Sequence, residues 1–399
     1  MSGPGGLGAD LDDWLASHGD ELIAFRRHLH TFPERSGEER ATTELIAERL
    51  RVAGLDSRTL TSGTGLLCDV GPAPTVGLRA DIDALAMADE KDVSYRSQHP
   101  GVAHACGHDV HTAITLGAGL YLAPRGPDAA GGLRLVFQPA EERLPGGALD
   151  VSADGGLAGL ESLFGLHCDP KLEVGRIGLR AGPITSAADM VRIQLFGPGG
   201  HTARPELTVD LVALAAAVVA ELPRRVRARR GVEAPVRLVF GAVHAGDAAN
   251  VIPAQAELRA SVRTPETELW GALPAAVEAA LHEIVDAAGG TFALDYTPGV
   301  PPLVNDPAAL AQVRVGARAA LGDAAITEAV QSWGGDDFAW FSQQVPSAYI
   351  RLGTHDPDAG GPRLDLHAGH FDVDERAIAV GIRVLVAAVE QHLAGRAQG

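Results

Sequence analysis

Four short apolar runs constrain the fold of this chain most: GLLCDVG, TVGLRAD, LRLVFQ and SLFGLH, all between residues 65 and 167. Helical stretches separate several of them, notably one beginning near Cys106. Two further helical patterns precede them, one ending at Pro33 and one at Gly54. Alternating β and α elements imply an α/β layer built on a partly parallel sheet. The composition changes at Ala181-Gly182-Pro183. From there the chain reads strand, helix, strand, strand, helix, strand, and the block closes at Pro298-Gly299. VRIQLF and AELRASVR within it alternate apolar and polar residues, as half-exposed strands do. The order βαββαβ is the ferredoxin-like split. The expected architecture is therefore a larger mixed-sheet α/β domain, residues 1–183 and 299–399, interrupted by a small inserted ferredoxin-like βαββαβ domain, residues 184–298.

Charge excludes some partners. The formal net charge is −18, which argues against nucleic acid and anionic membrane surfaces, since both need a basic footprint. An anionic substrate would need local positive charge from a metal or an arginine. No run reads as a membrane span; the most apolar, DLVALAAAVVAEL from Asp210, is short and bounded by acidic residues. The N-terminus is acidic and lacks a signal-peptide pattern. Cys68, Cys106 and Cys168 are few and odd in number, which fits a reducing compartment. A cytoplasmic location is the expectation.

The strands lead into ligand-type residues. TVGLRA runs to Asp81 and Asp83, LRLVFQPA to Glu141 and Glu142, and SLFGL to His167. Ligands of open α/β sheets bind outside the carboxyl ends of strands, so these ends and the HACGHDVH segment are expected to share one cleft. DLHAGHF adds His367 and His370. Mixed sulfur, nitrogen and oxygen donors suit zinc, manganese, cobalt or nickel rather than magnesium or calcium. The set is large enough for two metals with a carboxylate left over as a base. One of Glu141 and Glu142 can ligate while its neighbour reaches a metal-bound water.

Each feature has a plainer reading. His108 and His111 alone would fit a helix surface, and adjacent glutamates suit a helix N-terminus. GPGGHTARP, residues 197–205, is either a glycine turn with one exposed histidine or a loop that lifts His201 toward the cleft. Joint placement at strand ends favours the metal reading.

HACGHD, VFQPAEE with GGA after it, GLHCDP, GPGGHTARP, NVIP and the LH and FDVDE segments occur in this order over residues 26–377. Together with RRHLHTFPERSGEE and GLRADIDAL they resemble the dinuclear metallopeptidase family of aminoacylases and carboxypeptidases. The likeness is to its amidohydrolase branch, which includes hippurate and indole-acetyl-amino-acid hydrolases. The resemblance implies that Cys106, His108, Glu142, His167 and His367 ligate two divalent metals, zinc or manganese, with cobalt or nickel also fitting. It implies Glu141 as general base toward a water shared by the metals. His201 would polarise the scissile carbonyl, often across a dimer interface, and Asn250 and Arg263 would hold the substrate carboxylate. Asp83 and Asp109 are the expected supports of the imidazoles. Two departures from the family pattern stand out: Gly369 in place of a proline, with His370 as an alternative ligand, and Gly335-Asp336 ahead of Asp337-Phe338.

These expectations combine into a homodimeric amidohydrolase of N-acyl amino acids or related small amides and dipeptides. The resemblance makes residues 1–183 and 299–399 the metal-binding catalytic domain and residues 184–298 a lid domain that would mediate dimerisation and close over the cleft. The competing class is a metal-dependent binding or sensor protein without turnover, in which Glu141 would have no task. A third reading, a hydrolase with Cys106 as nucleophile, leaves Glu142, His167 and His367 without work.

Overall fold

In the computed structural model, which describes residues 6–125, 132–229, 234–358, 360 and 363–396, the chain divides into two compact units. The catalytic unit comprises residues up to Ile184, Val304–Val330 and everything from Asp337 onward. Its eight-stranded sheet runs in the order Ser57–Thr59, Leu66–Val70, Leu133–Gln138, Val76–Asp81, Ser162–Glu173, Ser347–His355, Ile177–Leu179, Ile326–Glu328. Val76–Asp81 is parallel to both of its neighbours, and Ser347–His355 is parallel to Ser162–Glu173. The remaining pairs include antiparallel ones, so the sheet is mixed, as expected from the sequence.

The central strands are covered on both faces, which is why they read as near-continuous apolar runs. Leu78, Leu135, Phe137, Phe164 and Ile350 are buried in the sheet, and Ile114, Leu116, Ile382 and Leu385 pack on it from the helices His108–Leu122 and Arg376–Arg396. The sequence reading placed the most apolar stretch at Asp210. Among the described residues, Arg376–Arg396 is a helix long and apolar enough, by length and composition, to cross a membrane, and 56% of its most apolar window is buried within the protein. Its composition answers to a core position.

The second unit spans Thr185–Leu303 and also takes in Gln331–Asp336. Its sheet has the order Arg237–Ala245, Gln255–Arg263, Ala188–Phe196, Thr291–Val300, with every neighbouring pair antiparallel. Helices Leu211–Ala228 and Thr267–Val285 lie between the strands in sequence, giving the βαββαβ order. Alternation decides the faces: Val191, Ile193 and Leu195 are buried under the helices, whereas Met190 and Arg192 are exposed. Buried Asp189 ties the unit together, accepting bonds from the Trp270 indole (3.0 Å), the Tyr296 hydroxyl (2.7 Å) and the Gly299 amide (2.9 Å). The segment around Trp333 belongs here rather than with the catalytic unit: Arg237 stacks on the Trp333 ring at 3.9 Å.

Among these buried contacts one ion-pair system spans the catalytic sheet. Arg79, fully buried, donates to Asp81 at 2.7 Å, to Asp337 at 2.9 Å and to Gln138 at 2.8 Å. The Gln138 side-chain amide and the Ala148 backbone amide also donate to Asp337. Arg79→Met would leave two buried carboxylates without their cation. It is expected to destabilise the catalytic unit by about 3–5 kcal/mol, read as a lowered melting temperature in calorimetry.

Candidate metal centre

The site forms where parallel strands end and one helix begins. After Val76–Asp81 the chain carries Asp83 across the sheet end; after Leu133–Gln138 it turns through Ala140, at φ 54°, to present Glu141 and Glu142. That uncommon backbone is held because Glu39 accepts the Ala140 amide at 2.8 Å. Gly107, at φ 87°, is the junction between Cys106 and the helix His108–Leu122. A side chain there would strike Cys168: a Cβ would sit 2.7 Å from its Sγ. His367 reaches the group from a separate segment, at φ 59°, with its amide bonded to the Ala105 carbonyl at 2.8 Å.

Two groups of donor atoms result, with Cys106 in both: Cys106, His108 and His167, and Cys106, Glu142 and His367. Within each, the donor atoms lie within 4.8 Å of one another. Glu141 stands beside them in a third group with His108 and Glu142. Cys106 Sγ is 3.5 Å from His167 Nε2, His367 Nε2 is 3.3 Å from Glu142 Oε1, and His108 Nε2 is 3.9 Å from Glu142 Oε1. His108 Nε2 and Glu142 Oε1 are buried and make no hydrogen bond. Buried polar atoms left so are costly, and a cation between them would satisfy both, so the donor set fits a metal.

The far nitrogens of the imidazoles are occupied, which sets the free ones. His108 Nδ1 donates to Asp83, 3.0 Å from its carbonyl and 3.2 Å from its carboxylate. His167 Nδ1 donates to the Cys168 carbonyl at 2.8 Å. Each is thereby fixed with Nε2 as the unprotonated donor that a metal requires. His111 is different. Its Nδ1 binds Asp81 at 2.6 Å and its Nε2 accepts the Cys168 amide at 2.9 Å, so both nitrogens are spent.

Electrostatics follow from burial and neighbours. Burial disfavours the Asp81 carboxylate, but His108, Arg79 and His111 outweigh it and hold its pKa well below the usual range. Asp83 is likewise lowered against burial, by its bonds to His108, Ser36 and the Glu142 amide. Burial opposes the charged form of His108, yet the Asp81 charge and the Asp83 bond raise its pKa. Burial pushes the Cys106 thiol well up, the opposite of what an activated nucleophile needs. His104 is buried with both nitrogens unbonded, and burial takes its pKa down to about 3.

Several sequence expectations shift. The strand bearing His167 does not end there; it runs on to Glu173, pairing Ser347–His355 with Arg351 opposite His167. Asp109 supports no imidazole of the cluster. It binds Arg26 at 2.7 Å and His30 at 2.7 Å, away from the donor groups. His370 joins none of them either, since its Nδ1 lies 2.9 Å from Glu90. Glu90 packs where a side chain on residue 369 would be, which accounts for Gly369: a Cβ there would lie 2.8 Å from the carboxylate. Asp81 and Arg79 were missed as supports. Two charged residues at i and i+2 in an otherwise apolar strand were the available signal, because both face one side of a buried sheet.

In the second unit, His201 pairs with Val251 in a two-residue ladder, next to Asn250. His201 Nδ1 accepts the Ala203 amide at 3.0 Å, so the neutral ring carries its proton on Nε2. Arg263 is half-buried and gives one nitrogen to the Trp333 carbonyl at 2.8 Å.

The model of peptidase family M20/M25/M40 matches residues 77–391. The chain is 35% identical over 361 residues to an N-acetyl-L-cysteine deacetylase of Bacillus subtilis, covering 90% of this chain and 85% of that protein. It is 44% identical over 369 residues to a Rhodococcus jostii protein provisionally named glutamate–cysteine ligase 2-3; the match covers 92% of this chain but only 46% of that relative's length. Among solved structures it is similar to Bacillus subtilis YXEP protein, described as a dinuclear metal binding peptidase from M20 family, with a TM-score of 0.83 and 30% identity over 95% of this chain and 99% of that one.

Gly107→Ala would place a methyl group against Cys168 in a backbone region that disfavours it. Strain alone is expected to cost roughly 1–3 kcal/mol, and the displaced Cys106–His108 segment is expected to lower bound metal per chain, measured by elemental analysis after dialysis.

Proposed function

The chain belongs to peptidase family M20/M25/M40, and from that premise we propose that it is a metal-dependent amidohydrolase of N-acyl amino acids or related small amides and dipeptides. The observation that carries this reading is the pair of donor groups sharing Cys106, with a further carboxylate, Glu141, beside them. Cys106, His108, Glu142, His167 and His367 would hold two divalent cations, zinc or manganese by their donor chemistry. Bound there, the cations would supply Lewis acidity toward a water and the scissile carbonyl.

Glu141 takes the proton of the attacking water and returns it to the departing amine. Its adjacency to Glu142 suits this division, since neighbouring side chains on a turn point different ways. His201 offers an Nε2–H donor to the developing oxyanion, a task that the bond from the Ala203 amide supports by fixing the tautomer. Asn250 and Arg263 receive the substrate carboxylate; the bond to Trp333 leaves Arg263 further donors for a forked contact. Asp83 orients His108.

The similarity to an N-acetyl-L-cysteine deacetylase makes N-acetyl-L-cysteine the first substrate to try. A cytoplasmic homodimer joined through the second unit completes the reading. Val239 and Val243 stand exposed on its edge strand, which suits such pairing.

Glu141→Gln is expected to retain metal while losing about 10²- to 10⁴-fold in turnover, measured as amine release from a panel of N-acyl amino acids; near-normal turnover would remove Glu141 as the base. Exhaustive chelation is expected to abolish activity, and added zinc or manganese to restore it. A metal-free protein with full activity would overturn the reading, and a loaded protein that binds but never turns over the panel would favour a sensor. His201→Ala is expected to lose about 10²- to 10³-fold in turnover. Mixing it with Glu141→Gln chains tests where His201 acts: activity recovered in mixed dimers places it in the partner's site, and none recovered despite proven exchange places it in its own.

A further inference from the structure

A cavity of about 650 Å³ opens beside Glu142 and His367, and its walls all belong to the catalytic unit. Leu85 and Met87 give it an apolar side, and Arg35 and Arg143 give it two guanidinium groups. These two are not equivalent. Arg35 is held by Glu38 through two bonds, at 3.1 and 3.2 Å. Arg143 has no hydrogen-bond or ion-pair partner among the described residues.

The carboxylates nearby in sequence to Arg35 are all engaged elsewhere. Glu34 accepts the amides of Ala41 and Thr42, at 3.1 and 2.7 Å. Glu39 accepts those of Gly37 and Ala140, both at 2.8 Å. Gly37 explains where the Arg143 side chain rests. It has φ 80°, and a Cβ on it would lie 3.3 Å from Arg143 Nη1 and 3.8 Å from both Cζ and Nη2. The guanidinium therefore lies across the bare face of the glycine, and a side chain at residue 37 would crowd it.

In a chain of net charge −18, an exposed arginine with no carboxylate partner among the described residues, at the edge of a cavity next to the candidate metal ligands, is available for a ligand's anion. Guanidinium forks suit carboxylates, and an apolar wall opposite suits the carbon chain that carries one. We propose that Arg143 is a specificity-determining residue that binds a second negative charge on the substrate. The preferred substrates are then N-acyl amino acids with a carboxylate on the acyl group or the amino-acid side chain, in addition to the α-carboxylate. The inference rests on the amidohydrolase reading above, which assigns the α-carboxylate to Asn250 and Arg263.

Two matched pairs test it: N-succinyl-L-alanine against N-succinamoyl-L-alanine, and N-acetyl-L-glutamate against N-acetyl-L-glutamine. Each pair differs in one charge at nearly constant shape. The expected result is a preference for the charged member in at least one pair, roughly ten- to a hundredfold in kcat/KM, as one hydrogen bond to a charged group provides. The preference should reside mainly in KM. Arg143→Gln is expected to bring the ratio to about 2 or below, and Arg143→Lys to retain part of it. Equal rates within both pairs, or a preference that survives Arg143→Gln, would overturn the proposal. Failure of every pair to turn over would instead count against the amidohydrolase reading. Calorimetry of the same pairs on manganese-loaded Glu141→Gln protein then decides: tighter binding of the charged member, lost when Arg143→Gln is added, upholds Arg143, and equal binding overturns it.

Discussion

The catalytic unit depends on how it keeps charge at the buried end of an apolar sheet. Asp81 ends a strand whose six residues are all buried, and buried Asp83 follows two residues on. Carboxylates in that position are tolerable only if every lone pair finds a proton or a positive charge. Arg79 and His111 answer for Asp81, and His108, Ser36 and the Glu142 amide answer for Asp83. The same bonds aim His108 and fix its protonated nitrogen, so stabilising the sheet end and preparing the donor group are one arrangement.

From that anchor the arrangement extends outward in layers of decreasing burial. Arg79, Asp81, His111 and His108 are fully enclosed, Cys106 and His167 are buried, Glu141 and Glu142 are partly exposed, and His367 is about half exposed. The polar side-chain atoms of Arg79, Asp81 and His111 are bonded within the protein. His108 Nε2 and Glu142 Oε1, which face the donor groups, make no hydrogen bond. A rigid, satisfied inner layer supporting an outer layer with open valences is what a preorganised cation site needs.

The sequence reading named the candidate donors and one support, Asp83, which bonds His108, but not Asp81 or Arg79, for a physical reason. Cys106, His108, Glu142, His167 and His367 are residue types with few other reasons to gather, and their motifs stand in a recognisable order. Supports are different: an aspartate that orients a ring looks like any other aspartate. Asp109 was expected to support an imidazole of the cluster, but a helix turns consecutive side chains about 100° apart, so Asp109 points away from its neighbour His108 and meets Arg26 and His30 instead. Asp81, spaced 30 residues from His111, is its partner because strand and helix pack together. His370 and His367 are two histidines three positions apart, and the Glu90 contact of His370 and the left-handed backbone at His367 separate them.

Local periodicity and residue chemistry therefore determined the alternation of strands and helices, the inserted βαββαβ block and the segments that carry candidate donor residues, while the choice among those residues came from the family resemblance. These are short-range properties that a sequence carries directly. Tertiary structure alone decided which nitrogen of each histidine is free, that Cys106 belongs to two donor groups at once, and that Arg143 rests on Gly37 without a carboxylate. Such facts depend on which distant segments share one buried volume, and there the cost of an unsatisfied polar atom, rather than any local preference, selects the partners.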